Sequence, residues 1–344
     1  MQKPVETTRS QETKRNPDLE ALLTELNDAL GSCSRQPSVD SSESVPKIFV
    51  FGPMRSGTTL MMQCLSQAGP FAYPTNLLSR FYKAPLVGTL IQQMLFDPRF
   101  QFRDEMALEL PEHLFSSYNG KTSGPLSPNE FWYFWKRFIP FVDGRPEAPT
   151  GKQAKAFQAE LNGISNKLTK PFALKAMILN EHADALYSLF PGSLFIRMVR
   201  DPVFNIQSAL EARQRQFGDM ETWYSFKIKA FDELKELDPL HAVAGQVHAI
   251  NQAIELGFAN IPDTHQLTVS YEAFCDTPGT YLKGIAEKIQ EHVDPDHWRE
   301  LPEKFKTTNQ WRLSRYTEQA ARDASEKMER FIRNASSTRG SESA

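Results

Sequence analysis

Two stretches of this chain bring glycine, hydroxyl and guanidinium groups together at a spacing that suits an anion. The first is Gly52-Pro53-Met54-Arg55-Ser56-Gly57-Thr58-Thr59. Its Gly-x4-Gly frame has the length of a Walker A loop, but Thr58 stands where that loop carries its lysine. The N–H groups of such a loop, and of the helix start behind it, point at an anion, and the helix dipole helps. Without a lysine to reach terminal phosphates the loop is poorly suited to ATP. It suits a nucleotide whose single 5′-phosphate bears another anionic group, with Arg55 as the loop's cation. The second stretch is Arg200-Asp201-Pro202 with Ser208 two turns on. A guanidinium fork matches phosphate geometry and is always charged. Taken singly, a glycine turn and a salt-bridged helix cap would explain the two stretches. Both together, in order, each at a switch from strand to helix, favour a phosphate site.

Positioning these residues requires an alternation of strands and helices. Lys47–Phe51 is an apolar run expected as a buried strand, and Leu60, Met61, Cys64, Leu65 and Ala68 mark one face of the helix after the loop. Further strands are expected at 172–175, 193–199 and 266–270, with helices near 181–190, 203–216, 241–257, 279–291 and 316–333. Asp201 is a good cap and Pro202 a good first-turn residue. The fold class is therefore α/β, with a P-loop-like parallel sheet flanked by helices. Segment 70–170 lacks the alternation and holds the aromatic run Phe131-Trp132-Tyr133-Phe134-Trp135. It is expected as a helical insertion over the sheet's carboxyl edge, forming the acceptor side. Residues 1–45 contain no aromatic residue and are expected to be largely disordered apart from one short helix. That helix is capped by Asn16, faces inward through Leu19, Leu22, Leu23, Leu26 and Leu30, and stops at Gly31. The folded domain is then 46–335, followed by a disordered tail at 336–344.

Composition narrows the class. A net charge of −3 argues against a sequence-independent nucleic-acid binder. Cys33, Cys64 and Cys275 are far apart and in no metal spacing, so they read as reduced thiols. No stretch approaches the ~20 apolar residues of a membrane span, and the N-terminus has no signal-peptide core. The expectation is a cytoplasmic protein with no metal site and no integral membrane segment.

The run Phe49-Val50-Phe51-Gly52-Pro53-Met54-Arg55-Ser56-Gly57-Thr58-Thr59-Leu60 closely resembles the 5′-phosphosulfate loop of sulfotransferases that use 3′-phosphoadenosine 5′-phosphosulfate (PAPS). Met54 replaces the proline usual before the basic residue. Phe195 to Pro202 with Ser208 is similar to that family's 3′-phosphate element. The resemblance implies that Arg55, Ser56, Gly57, Thr58 and Thr59 surround the 5′-phosphate, that Arg200 and Ser208 bind the 3′-phosphate, and that PAPS is the co-substrate. Val269-Ser270-Tyr271-Glu272 is similar to a late strand and Tyr-Glu turn of the family. The stretch with Lys304, Lys306, Arg312 and Arg315, and Arg299 just upstream, looks like its basic loop over the 3′-phosphate. It carries no acid to offset its cations.

What this implies is transfer of a sulfuryl group to a hydroxyl or amine of a small-molecule acceptor, which could be a carbohydrate, a lipid headgroup or a phenol. A carbohydrate-type hydroxyl is the leading choice. Arg55, and after it Lys175, would stabilise charge on the bridging oxygen. The family's usual bases do not carry over, since Met177 and the segment Tyr73–Asn76 stand at their positions. Glu130, expected in apolar surroundings that raise its pKa, is the first candidate base, with His113 and His182 as alternatives. Two other readings stay open, a non-catalytic nucleotide-binding module and a degenerate P-loop kinase.

Overall fold

The computed structural model describes residues 16–33, 45–100, 115, 117, 120–289, 293 and 298–342. Four parallel strands form its sheet in the order β4–β1–β5–β6, where β1 is Lys47–Phe51, β4 Phe172–Lys175, β5 Leu194–Val199 and β6 Gln266–Ser270. Lys47 pairs with Phe172, Ile48 with Leu194 and Phe195 with Gln266. All of β1 is buried, as expected of a central parallel strand covered on both faces. Period-2 alternation splits it between two cores. Phe49 and Phe51 pack with Phe195, Phe190 and Phe258 on one face, while Ile48 and Val50 join Met61, Leu65, Ile196 and Phe274 on the other.

The helices fall on both faces. α2 (Thr58–Ala68), α10 (Tyr271–Asp276) and α11 (Pro278–Lys288) cover the second core. The first is covered by α5 (Gly151–Leu168), α6 (Ala183–Leu189), α7 (Pro202–Phe217), α8 (Phe231–Leu234), α9 (Pro239–Phe258) and α12 (Glu318–Glu342). Because the strands are parallel, their carboxyl ends share one edge, and the glycine loop, Lys175, Arg200 and Tyr271 all sit there. This is the edge at which open α/β sheets bind ligands.

The insertion expected over 70–170 is present as α3 (Pro85–Phe96), α4 (Trp132–Phe138), the two-stranded hairpin of β2 (Phe141–Val142) and β3 (Arg145–Pro146), and α5. Its aromatic run does not form an open surface for a ligand. Phe131, Phe134 and Trp135 are core residues, and Phe131 stacks on Phe134 at 4.3 Å. Trp132 stacks on Phe226 at 5.0 Å and carries the Lys136 ammonium 4.9 Å from its ring. Four consecutive aromatic residues on a short helix, with Phe131 just before it, necessarily point all round, and most of the five found core.

The N-terminal helix α1 (Pro17–Cys33) starts as expected, with the Asn16 side chain accepting from the Asp18 and Leu19 N–H groups. It passes through Gly31 instead of ending there. Leu22 is 60% exposed and outside the docked face. Docking runs through Leu23 and through buried Asn27, which donates to the Arg80 carbonyl and accepts from the Lys83 N–H. At the other end α12 reaches Glu342, past the boundary expected at 335. Ion pairs one turn apart, Arg322–Glu318 and Arg333–Glu329, support the helix up to that boundary.

Candidate functional site

The loop after β1 is shaped by what stands behind it. The Asn180 side chain accepts from the Gly52 N–H at 3.3 Å and donates to the Gly52 carbonyl at 3.0 Å. Buried Asn205 donates to the Met54 carbonyl, and Arg200 Nη1 donates to the Arg55 carbonyl at 2.9 Å. With these carbonyls tied back, the loop turns tightly. Arg55 has φ +66°, a left-handed conformation that non-glycine residues adopt at a cost, and Gly57 has φ +97°. A Cβ at Gly57 would also lie 2.5 Å from the Tyr271 ring, so glycine is required twice over. Helix α2 then begins at Thr58 with no side chain capping it. Its first N–H groups and the positive end of its dipole face the loop's mouth.

The two sequence motifs converge at this mouth. Arg55 Nε donates to Ser208 Oγ at 3.1 Å, joining the glycine loop to α7. Asp201 caps α7 by accepting from the Val203 N–H at 2.9 Å. Arg200 is almost buried and lies 4.6 Å from the Tyr271 ring. Besides the Arg55 carbonyl it donates to Asn309 Oδ1 from Nε and Nη2, and to Thr308 Oγ1 from Nη2. Among the described residues these partners take four of its five N–H groups, leaving one at Nη1. Burial pulls both the Arg55 and the Arg200 guanidinium below the ordinary arginine value. Each also feels the other's charge or that of another arginine, and Glu130 and Glu211 near Arg55 only partly offset this. A site that desolvates two cations in this way favours an anion.

A third cation lies at the same edge of the sheet. Lys175, at the end of β4, donates to Thr59 Oγ1 at 3.0 Å and pairs with Glu130 Oε1 at 2.8 Å. Its side chain is 7% exposed and that of Glu130 is 48% exposed. The apolar setting expected for Glu130 is therefore corrected: the carboxylate is half in water and bound to an ammonium. The sequence names both residues, from 45 positions apart, but gives no sign that they touch. Gly120 (φ +85°) stands over the pair, where a Cβ would be 3.3 Å from Thr59 Oγ1 and 3.6 Å from Glu130 Oε1.

The remaining expected residues are placed less uniformly. Ser56 is fully buried, its hydroxyl without a hydrogen-bond partner among the described residues, and the Thr58 hydroxyl turns to Met177 Sδ at 3.5 Å. These two can reach an anion only through the backbone, whereas Thr59 lies by Lys175. His182 bonds the Pro146 carbonyl and pairs with Glu147, and among the described residues no hydrogen bond or ion pair joins it to the loop. His113 lies outside the described residues. The basic stretch near 304–315 does cross the site, but not through its cations. Lys304 pairs with Asp276, Arg312 with Glu211 and Arg315 with Glu221, acids supplied by other elements. Thr308 and Asn309 make the contacts with Arg200. In the sequence that stretch stands out by its charge, and nothing there marks the Thr308 hydroxyl or the Asn309 amide as partners of Arg200. Glu272 completes the arrangement by accepting from the Asp201 N–H, Ser270 Oγ and Asn309 Nδ2. Among the described residues no cluster of His, Cys, Asp and Glu could hold a metal ion, and no helix is long and apolar enough to cross a membrane.

A family model described as "Sulfotransferase family" matches residues 46–295. A solved sulfotransferase from Mycobacterium avium aligns at 15% identity over 81% of this chain and 75% of its own, with a TM-score of 0.49. Another from Mycobacterium tuberculosis H37Rv aligns at 12% identity over 89% and 81%, with a TM-score of 0.48. No curated protein matches the chain by sequence.

Proposed function

Since the chain belongs to the sulfotransferase family, we propose that it moves a sulfuryl group from PAPS to a hydroxyl or amine of a small-molecule acceptor. The observation that carries this reading is the junction of the two phosphate motifs. Arg55 bonds Ser208, and Arg200 holds the Arg55 carbonyl, so a ligand at this edge would meet both motifs at once. The residues present fit a donor with two anionic ends. An uncapped helix start, Arg55 and Lys175 would hold the 5′ end, and Arg200 with Ser208 the 3′ end.

The donor supplies an activated sulfuryl group, and the protein's part is positioning and electrostatics. As the acceptor oxygen bonds to sulfur, the bond from sulfur to the 5′-phosphate oxygen breaks and its electron pair leaves with 3′-phosphoadenosine 5′-phosphate. Arg55, in the loop itself, stabilises that leaving charge, and Lys175 at the end of β4 is the second cation. Glu130, on the acceptor side of Lys175, takes the acceptor proton. An ionisable pair in the cleft favours an enzyme over a non-catalytic nucleotide module, and a loop with no lysine at Thr58 disfavours a kinase.

The test is a thermal-shift titration followed by a transfer assay. 3′-Phosphoadenosine 5′-phosphate should raise the melting temperature as a native-state ligand, and ATP much less. Labelled PAPS offered with a library of sugars, phenols and lipid headgroups should then yield one class of labelled product. Equal shifts from the two nucleotides would sink the reading.

A further inference from the structure

We infer that Glu130 is the resident counter-ion of Lys175, displaced by the donor's anionic end and thereby freed to take the acceptor proton. This rests on the reading above, in which Lys175 faces the phosphosulfate.

The Lys175 ammonium has two described partners, Thr59 Oγ1 at 3.0 Å and Glu130 Oε1 at 2.8 Å. Thr59 is in the first turn of α2, where the loop and the helix start present their N–H groups. An anion held at that turn therefore lies on the same ammonium that Glu130 occupies. Two carboxylate-sized anions cannot share one ammonium in a partly buried pocket without repelling each other. Burial decides which of the pair moves. Lys175 is 7% exposed and anchored in the sheet, whereas Glu130 is 48% exposed and can turn into water. An ion pair with one exposed member is worth little, so the donor can displace Glu130 readily.

The backbone restricts how Glu130 leaves. Phe131 is buried in a left-handed conformation, and its N–H donates to Asn129 Oδ1 at 2.8 Å. The carboxylate must therefore depart by side-chain rotation, which keeps it at the mouth of the cleft. Once off Lys175 it is an unpaired acceptor facing the place where the nucleophile arrives. The proton then passes from the acceptor hydroxyl to Glu130 as the oxygen–sulfur bond forms. A base that is freed only when the donor is seated makes donor binding the first step.

Binding of 3′-phosphoadenosine 5′-phosphate tests this without an acceptor. Calorimetry would compare the wild type, Glu130→Gln, Lys175→Gln and the double variant. Glu130→Gln should bind about three- to tenfold more tightly, since the ligand no longer competes for the ammonium. The same variant should melt lower when free, because Lys175 then keeps only Thr59. Lower stability with tighter binding is a combination that a packing defect would not give. In the Lys175→Gln background the gain should vanish, which separates the pair from a general loss of negative charge. Unchanged or weaker binding by Glu130→Gln, or an equal gain without Lys175, overturns the inference while leaving the donor site intact. If Lys175→Gln does not fold, Glu130→Ala must show the same tightening, and its failure to do so has the same force. No binding by the wild type and both Glu130 variants overturns the donor reading, and this inference with it.

Discussion

At the scale of residues, the site depends on a few side chains that each serve two neighbours. Arg200 is the clearest case. It is assigned to the 3′-phosphate with one N–H to spare, while the other four hold Asn309, Thr308 and the Arg55 carbonyl. Arg200→Ala should weaken binding of 3′-phosphoadenosine 5′-phosphate by roughly ten- to a hundredfold, as for a lost charge-assisted contact worth about 1.5–3 kcal/mol. It should also lower the melting temperature of the free protein, because the Asn309 amide and the Arg55 carbonyl lose their donor. Calorimetry and thermal melts read the two effects separately. An unchanged nucleotide affinity would remove Arg200 from the donor site and leave it as a brace. Arg55, Thr59, Lys175, Glu130, Arg200 and Ser208 were all named from sequence and lie on one edge. Asn180, Asn205 and Asn309 were not, because an asparagine that ties back a loop carbonyl, as the first two do, or bridges Arg200 and Glu272, as Asn309 does, looks like any other until the fold brings it there.

At the scale of elements, the strands and most helices were legible because their patterns are unambiguous. Lys47–Phe51 and Gln266–Ser270 begin and end where the apolar runs and their flanking breaks indicate. Misreadings came where local pattern and tertiary packing part company, as in α1 passing through Gly31 and the aromatic run turning into the core. The first residue of β1 carries a testable consequence. Lys47 is buried, donates to the Val45 carbonyl and Asn162 Oδ1, and burial pulls its ammonium down from 10.5 to about 7. Between these values the unfolded chain binds a proton that the folded chain does not. Stability should therefore rise as pH goes from about 7 toward 10.5, and the cost is fully present below 7. A shift of this size is worth at most about 5 kcal/mol. Melting curves at pH 7 and 9.5 should show a gain in the wild type that shrinks in Lys47→Met, and parallel curves would refute it.

At the scale of the whole molecule, the proposed donor site gathers residues spread from Arg55 to Asn309 of the 344-residue chain. Arg55 supplies the loop, Arg200 the strand end, and Thr308 and Asn309 the strap across them. The family match ends at 295, short of that strap. Helix α12 follows it and seats Ala321, Ala324, Met328 and Ile332 in the first core. The feature with the widest consequence is the strap, and the consequence lies in time. Synthesis proceeds from the N-terminus at roughly 5–20 residues per second, so tens of seconds separate the making of Arg55 from that of Asn309. The four strands can pair only once β6 ends at Ser270, and for the 39 residues from there to Asn309, about 2–8 seconds of synthesis, Arg200 still lacks the amide and hydroxyl that complete its surroundings. Chains stalled on the ribosome with residues up to 300 exposed should fail to retain 3′-phosphoadenosine 5′-phosphate on an affinity resin, whereas released full-length chains should be captured. A newborn molecule would thus be blind to its donor until all but its last 35 residues had emerged.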